Sequence, residues 1–215
     1  MTKTRFSHLI KTARERDYVA WYELGNCYLN LWGDYDYLDH SYYVSQEYEN
    51  NGLHILPTCK EMLDAYIPPI FLEKAQRAKI PVPVHYISNG YFEPPVILDP
   101  INPFMIKSRT VLKPGREKAI AKSMTRNYTY AICCQKLNPG DEVIKFRSVL
   151  GWSTGPIFRE LSKHVMEVFH IPLATVRVIV QKNGKMLLSD ISPLEFNDLR
   201  QSEYEYLEGQ ISWGK

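Results

Sequence analysis

An α+β fold, or mixed α/β, built of two small units is the class this sequence predicts, and three observations carry it. Runs with a helical apolar period and short alternating runs are interleaved along one chain of 215 residues. Asn183-Gly184 joins two apolar segments, TVRVIVQ and KMLLSDI, and so short a link forces antiparallel pairing. A proline-rich stretch at 91–104, YFEPPVILDPINPF, separates a tyrosine-rich beginning from a better-patterned remainder. The expected organisation is therefore an N-terminal unit over 1–90, a linker over 91–104 and a C-terminal unit over 105–215. Antiparallel strand pairs and a packed helix belong to the last.

Taken in order, Asp17 to Leu31 reads as a helix, with Asp17 as cap and Trp21, Leu24, Tyr28 and Leu31 at three- and four-residue steps. WGDYDYLDH is turn-like. SYYVSQEYEN reads as a second helix, closed by Asn51-Gly52. LHILP is a short buried strand. Glu61 to Ala78 is mostly helical with a break at Pro68-Pro69, and the prolines of IPVPVHYI confine that run to an extended edge. FMIKS is a strand candidate, and KPGREKAIAKSM carries a helix. YTYAICCQKL and EVIKFRSVL flank NPGDE and suggest a hairpin. A helix starting at Pro156 shows an apolar stripe of Ile157, Leu161, Val165 and Val168/Phe169, and the Asn-Gly hairpin follows.

Composition narrows function by exclusion. At 45% hydrophobic and 23% charged residues the chain is too apolar for disorder. No apolar run approaches the ~20 residues that span a bilayer. The opening MTKTRFSHLIKTARERDY lacks a signal-peptide h-region, so a cytoplasmic location without a membrane partner is the expectation. Four cysteines without a CxxC offer neither a disulfide framework nor a zinc site. Net charge is +2, yet its distribution is segregated. Residues 15–49 hold eight acidic side chains and one basic one, whereas 107–126 hold seven basic ones and only Glu117. The whole chain is not basic enough to indicate a nucleic-acid partner. Eight of 15 tyrosines lie between Tyr18 and Tyr48, which suits packing or a protein partner.

Two groups of residues could carry chemistry. Arg177 shares a strand face with Ile179, and Asp190 lies at the exit of the partner strand, as an anion-binding arginine beside a metal-binding carboxylate would, or as a surface ion pair would. Lys107, Arg109 and Lys113 precede a helix start and suit either a phosphate or a solvated basic face.

Together these segments resemble the RimK-like ATP-grasp ligases with their associated N-terminal domain. SYYVSQEYENNGLHILPT resembles the family's helix–strand passage, QRAKIPVP the linker before its ATP-grasp unit, and NPFMIKSR the strand of the nucleotide lysine. QKLNPGDEV resembles the adenine–ribose hinge, and VRVIV with NGKMLLSDISPLEF the terminal hairpin. The resemblance implies an ATP-grasp-like fold with ATP and Mg²⁺ as cofactors. It places phosphate at Lys107, the nucleoside at Gln135 and Glu142, the acylphosphate at Arg177 and the metal at Asp190. Ile179 stands where the family has a metal-binding aspartate, and Ser192 where it has an asparagine. Those departures make a non-catalytic or weakly active binding or adaptor module the first expectation. An ATP-dependent ligase joining a small-molecule carboxylate to an amine is the second, and an unrelated α+β interaction protein the third.

Overall fold

The computed structural model describes residues 11–14, 17–102, 104–105 and 107–213. Most of the opening segment read for export signals, and Ile106 of FMIKS, lie outside the described residues. The chain divides into two compact units, each discontinuous in sequence. One comprises Met1–Tyr66, Phe146–Val176 and Ile191–Lys215; the other comprises Ile67–Lys145 and Arg177–Asp190. Two units were expected, but their separation does not fall at 91–104. That stretch holds a strand, β5 (Val96–Pro100), whose first four residues are buried. A run in which Val, Ile, Leu and Asp are all hidden belongs inside a sheet rather than in a linker.

The first unit contains a sheet of order β11-β1-β2-β3, from β1 (Val19–Tyr22), β2 (Cys27–Asn30), β3 (Ile55–Leu56) and β11 (Ile211–Ser212). The helix expected over Asp17–Leu31 is instead the β1–β2 hairpin, in antiparallel register from Val19↔Asn30 to Tyr22↔Cys27. Backbone at Asp17, Tyr18 and Asn26 has positive φ, which an α-helix does not admit. Three- and four-residue spacing over so short a segment also fits strand positions on either side of a turn. The core collects Leu29, Leu31, Val149, Leu173, Leu194, Phe196, Tyr204 and Leu207.

Local signals held where they were strongest. SYYVSQEYEN lies in α1 (His40–Asn50), whose first turn is capped by the Asp39 side chain accepting from Ser41 N at 3.1 Å. Glu61 to Ala78 divides at the prolines into α2 (Cys59–Tyr66) and α3 (Pro68–Arg77). After a 3₁₀ turn at Pro156–Phe158 comes α5 (Arg159–Phe169), with α4 (Glu117–Met124) preceding it and α6 (Gln201–Glu208) following. The buried stripe of α5 is Ser162, Val165 and Phe169. Ile157 falls in the 3₁₀ turn and is 70% exposed, because three residues per turn rotate it off the α-helical stripe.

The second unit is built on a sheet of order β4-β7-β5-β6, from β4 (His85–Ser88), β5, β6 (Arg109–Val111) and β7 (Ile132–Lys136). β4, which follows Pro81 and Pro83, takes an edge, as the prolines of that run suggested. The hairpin expected across NPGDE does not form. β7 pairs antiparallel with β4 and β5 on its two sides, and β8 (Glu142–Val149) joins β9 (Leu173–Val180) and β10 (Met186–Ser192) in a separate sheet of order β10-β9-β8. With both edges of β7 occupied, no ladder position remains for β8. In that separate sheet β9 and β10 are neighbours joined through the Asn-Gly turn. The unit boundaries fall inside all three of its strands.

Strand alternation sorts the second unit into two layers. Val96 and Leu98 of β5, with Ile132 and Cys134 of β7, pack on Ile120, Ala121 and Met124 of α4. On the opposite side Ile97 joins Leu137, Ile179 and Leu187. That second layer turns polar one step further along each strand.

Candidate functional site

Asp99 follows Ile97 by two on β5, Gln135 lies opposite Ile97 on β7, Arg177 precedes Ile179 by two on β9, and Ser189 follows Leu187 by two on β10. Period two therefore carries all four side chains into the buried layer, and no whole residue of the four is more than 3% exposed. They form a closed ring. Arg177 Nη2 donates to Asp99 Oδ1 at 2.9 Å and Oδ2 at 2.8 Å, and Arg177 Nε donates to Ser189 Oγ at 2.9 Å. Ser189 Oγ donates to Gln135 Oε1 at 2.8 Å, and Gln135 Nε2 returns to Asp99 Oδ2 at 2.7 Å and to Ser189 O at 2.9 Å. Burying an ion pair is costly unless its donors and acceptors are met, and here they are met by protein. Burial opposes the charge of Arg177, but the carboxylates of Asp190 and Asp99 outweigh it and push the pKa up. The guanidinium stays charged at any pH the fold tolerates.

Asp190 lies at the rim, half-buried, with Oδ2 3.7 Å from Arg177 Nη1. Three residues expected at the site (Arg177, Gln135 and Asp190) are thus brought to one place, together with Asp99 and Ser189. Lys107 and Glu142 are not part of this ring. Lys107 is exposed just before β6, at the sheet edge, and Glu142 is exposed at the start of β8, in the other sheet. Lys107 instead lines a concavity of 430 Å³ with Phe104, Met105, Ser108, Arg109, Ser123 and Met124. Arg177 does not line it. An arginine buried inside a layer of strands has no surface to share with a lysine on the sheet edge.

Sequence reasoning missed Asp99 and Ser189. Asp99 had a usable signal, because a carboxylate directly after Val-Ile-Leu within a strand must be paired if the strand is buried. Its partner lies 78 residues away, and no local pattern reaches that far.

These residues do not fit Mg²⁺. A hard cation of that size takes several oxygen ligands, and among the described residues no three carboxylate, imidazole or thiolate groups converge. Ile179 is fully buried with Ile97, Leu137 and Leu187, so the position lacks both an oxygen and access. Ser192 donates to Thr175 O at 3.3 Å. Nor do the histidines converge among the described residues. His170 Nδ1 lies 2.6 Å from Glu61 Oε1, and His85 Nδ1 lies 3.1 Å from Pro83 O.

Thiol chemistry is also unfavourable here. Cys133 and Cys134 point to opposite sides of β7 and are both fully buried. Burial pushes the Cys134 thiol up to about 11, the Cys27 thiol up to about 11 and the Cys59 thiol up to about 12, and it raises Cys133 as well. Thiols, not thiolates, are present at neutral pH. Iodoacetamide at about pH 7.5 is therefore expected to leave Cys27, Cys133 and Cys134 unmodified while the unfolded chain is fully alkylated. Mass spectrometry reads the result, and rapid native labelling of either β7 cysteine would show that the layer is open.

Comparison with known proteins places this geometry in context. The chain matches the model of a family described as the RimK-like ATPgrasp N-terminal domain over residues 16–210. No curated protein sequence matches it. Among solved structures it is similar to a RimK domain protein ATP-grasp from Sphaerobacter thermophilus DSM 20745, at 15% identity and a TM-score of 0.56, covering 78% of this chain and 71% of that one. It is similar to D-alanine-D-alanine ligase from Helicobacter pylori at 12% identity and a TM-score of 0.57, covering 79% and 67% of the two chains. The Coxiella burnetii D-alanine-D-alanine ligase gives 12% identity, a TM-score of 0.54 and coverage of 79% and 63%. The chain thus spans less than two thirds of that last ligase. The fold is ATP-grasp-like and mixed α/β, as the sequence indicated. Among the described residues no helix is long and apolar enough to cross a membrane.

Proposed function

This chain belongs to the RimK-like ATP-grasp N-terminal domain family, and from that premise we propose that it works in ATP-dependent carboxylate–amine ligation. In that reaction ATP converts a carboxylate into an acylphosphate, and an amine then displaces inorganic phosphate to form an amide. The observation that carries the reading is the family match over nearly the whole chain. The ATP-grasp-like fold supports it.

Within this reading the residues divide by accessibility. Lys107 is exposed beside a concavity and supplies positive charge to a phosphate. Glu142 is exposed and accepts hydrogen bonds from ribose hydroxyls. Asp190 is the only member of the central cluster at the rim, so it is the carboxylate that meets ligand. Arg177 and Gln135 are positioning residues, because their donors already serve Asp99 and Ser189. No step is assigned to Mg²⁺. A protein partner at the tyrosine-rich region belongs to the same proposal, and the exposed rings of Tyr37 and Tyr43 are the surface available to it.

ADP release measured with ATP, Mg²⁺ and a panel of carboxylate–amine pairs tests the reading. Turnover should require both co-substrates, and Lys107→Ala should lower it by about 100-fold, the lower end of what losing one group aimed at transition-state charge costs. A second reading, a binding module without chemistry of its own, is favoured by the sealed Arg177 ring and by the lack, among the described residues, of a convergent acidic set. No ADP from any pair, with ATP binding that calorimetry shows to be indifferent to Mg²⁺, would replace the first reading by the second.

A further inference from the structure

The basic bias of residues 107–126 has no role in the central cluster, and its placement suggests one. Among the described residues β6 is an edge strand, paired only with β5 through Val96↔Val111, Ile97↔Thr110 and Leu98↔Arg109. Its other side carries backbone donors and acceptors facing away from the sheet. Directly beside it lies a concavity of 450 Å³, lined by Arg109, Leu112, Lys113, Arg116 and Ile120 among others. Leu112 is 66% exposed, an unusual position for a large apolar side chain next to a strand. Arg109, Lys113 and Arg116 are exposed, and no ion pair joins them to another described residue. The single acid of the segment, Glu117, forms no ion pair with them: its carboxylate accepts from Gly115 N, at 3.1 and 2.9 Å, and its one negative charge is outnumbered by the three bases.

We infer that the open edge of β6 and the concavity beside it form a docking surface for an extended acidic peptide segment of a partner protein. Main-chain pairing along Arg109–Val111 supplies register, as in other complexes where a peptide adds a strand to an exposed edge. Alternate carboxylates of the peptide meet Arg109, Lys113 and Arg116, and an apolar side chain between them covers Leu112. Charge complementarity selects the partner, and the strand edge selects its extended form. The inference goes beyond the ligase reading and uses none of the residues assigned to it.

The probe is a fluorescein-labelled peptide of alternating glutamate and valine, about eight residues long so that it extends past the three-residue β6 to Lys113 and Arg116, followed by anisotropy against the full chain. Saturable binding is expected. The double reversal Lys113→Glu/Arg116→Glu should weaken it by about tenfold or more, and binding should fall as NaCl rises from about 50 to about 300 mM. The same peptide N-methylated at alternate amides should bind wild-type protein about tenfold more weakly, because methylation removes the pairing donors. This last arm does not depend on any variant folding. Absence of saturable binding, equal affinity for the reversed variant, or equal affinity of the methylated peptide would overturn the proposal. So would oligouridylate binding more tightly than the peptide and displacing it, which would make the surface one for single-stranded nucleic acid.

Discussion

Replacing Asp99 by alanine is expected to destabilise the protein by about 3–5 kcal/mol, the cost of leaving one member of a buried ion pair without its partner. The side chains of Arg177 and Asp99 are 2% and 4% exposed, so solvent cannot take over the lost contacts. Gln135 loses an acceptor in the same step, because its Nε2 also donates to Asp99 Oδ2. Asp190, 3.7 Å from Arg177 Nη1 and at the rim, is too far from ideal geometry to compensate. Asp99→Leu/Arg177→Met should recover most of the loss, since well-packed apolar residues often replace buried ion pairs without penalty. Denaturant unfolding of the wild type, the single variant and the double variant reads the outcome. A loss below about 1 kcal/mol for Asp99→Ala is what an exposed pair would show, and it would mean that Arg177 is open to solvent and able to reach a ligand directly.

Gly33→Ala should be nearly as damaging for a different reason. Gly33 has φ +88, and a Cβ built there would lie 1.9 Å from Leu194 O and 2.7 Å from Glu195 Cα. Neither neighbour is the end of a flexible side chain. The two segments are also tied by Leu194 N donating to Gly33 O at 3.0 Å, so the backbone cannot part without losing that bond. Left-handed backbone alone costs an L-residue about 1–2 kcal/mol, and displacing main chain adds to it, for a total of roughly 3 kcal/mol or more. In a chain of this length that lowers Tm by roughly 6–12 °C. Gly52→Ala is the control. Its φ of +72 carries the same backbone penalty, but a Cβ there meets nothing within 4 Å. Equal melting shifts for the two variants would show that the close approach of Leu194 is not rigid.

What could be read from the residues alone was whatever depends on near neighbours in the chain. The Asp39 cap and the Asn51-Gly52 exit delimit α1, the prolines at 68 and 69 divide α2 from α3, and Asn183-Gly184 joins β9 to β10. Each is a matter of backbone sterics or of a hydrogen bond spanning a few residues. The motifs resembling RimK-like ATP-grasp ligases were legible for the same reason, being short and continuous. Tertiary structure decided what involves a choice among distant partners. β7 could have paired with β8 across a short loop, yet β4 and β5 occupy both its edges. Residues 19–30 could have coiled, yet pairing with β3 and β11 makes them strands. Most consequentially, whether Arg177 faces a substrate or an internal partner depended on Asp99, 78 residues away. Periodicity states which side of a strand a residue occupies. It does not state what is packed against that side, because that is settled by burial and hydrogen bonding among segments brought together only when the chain folds.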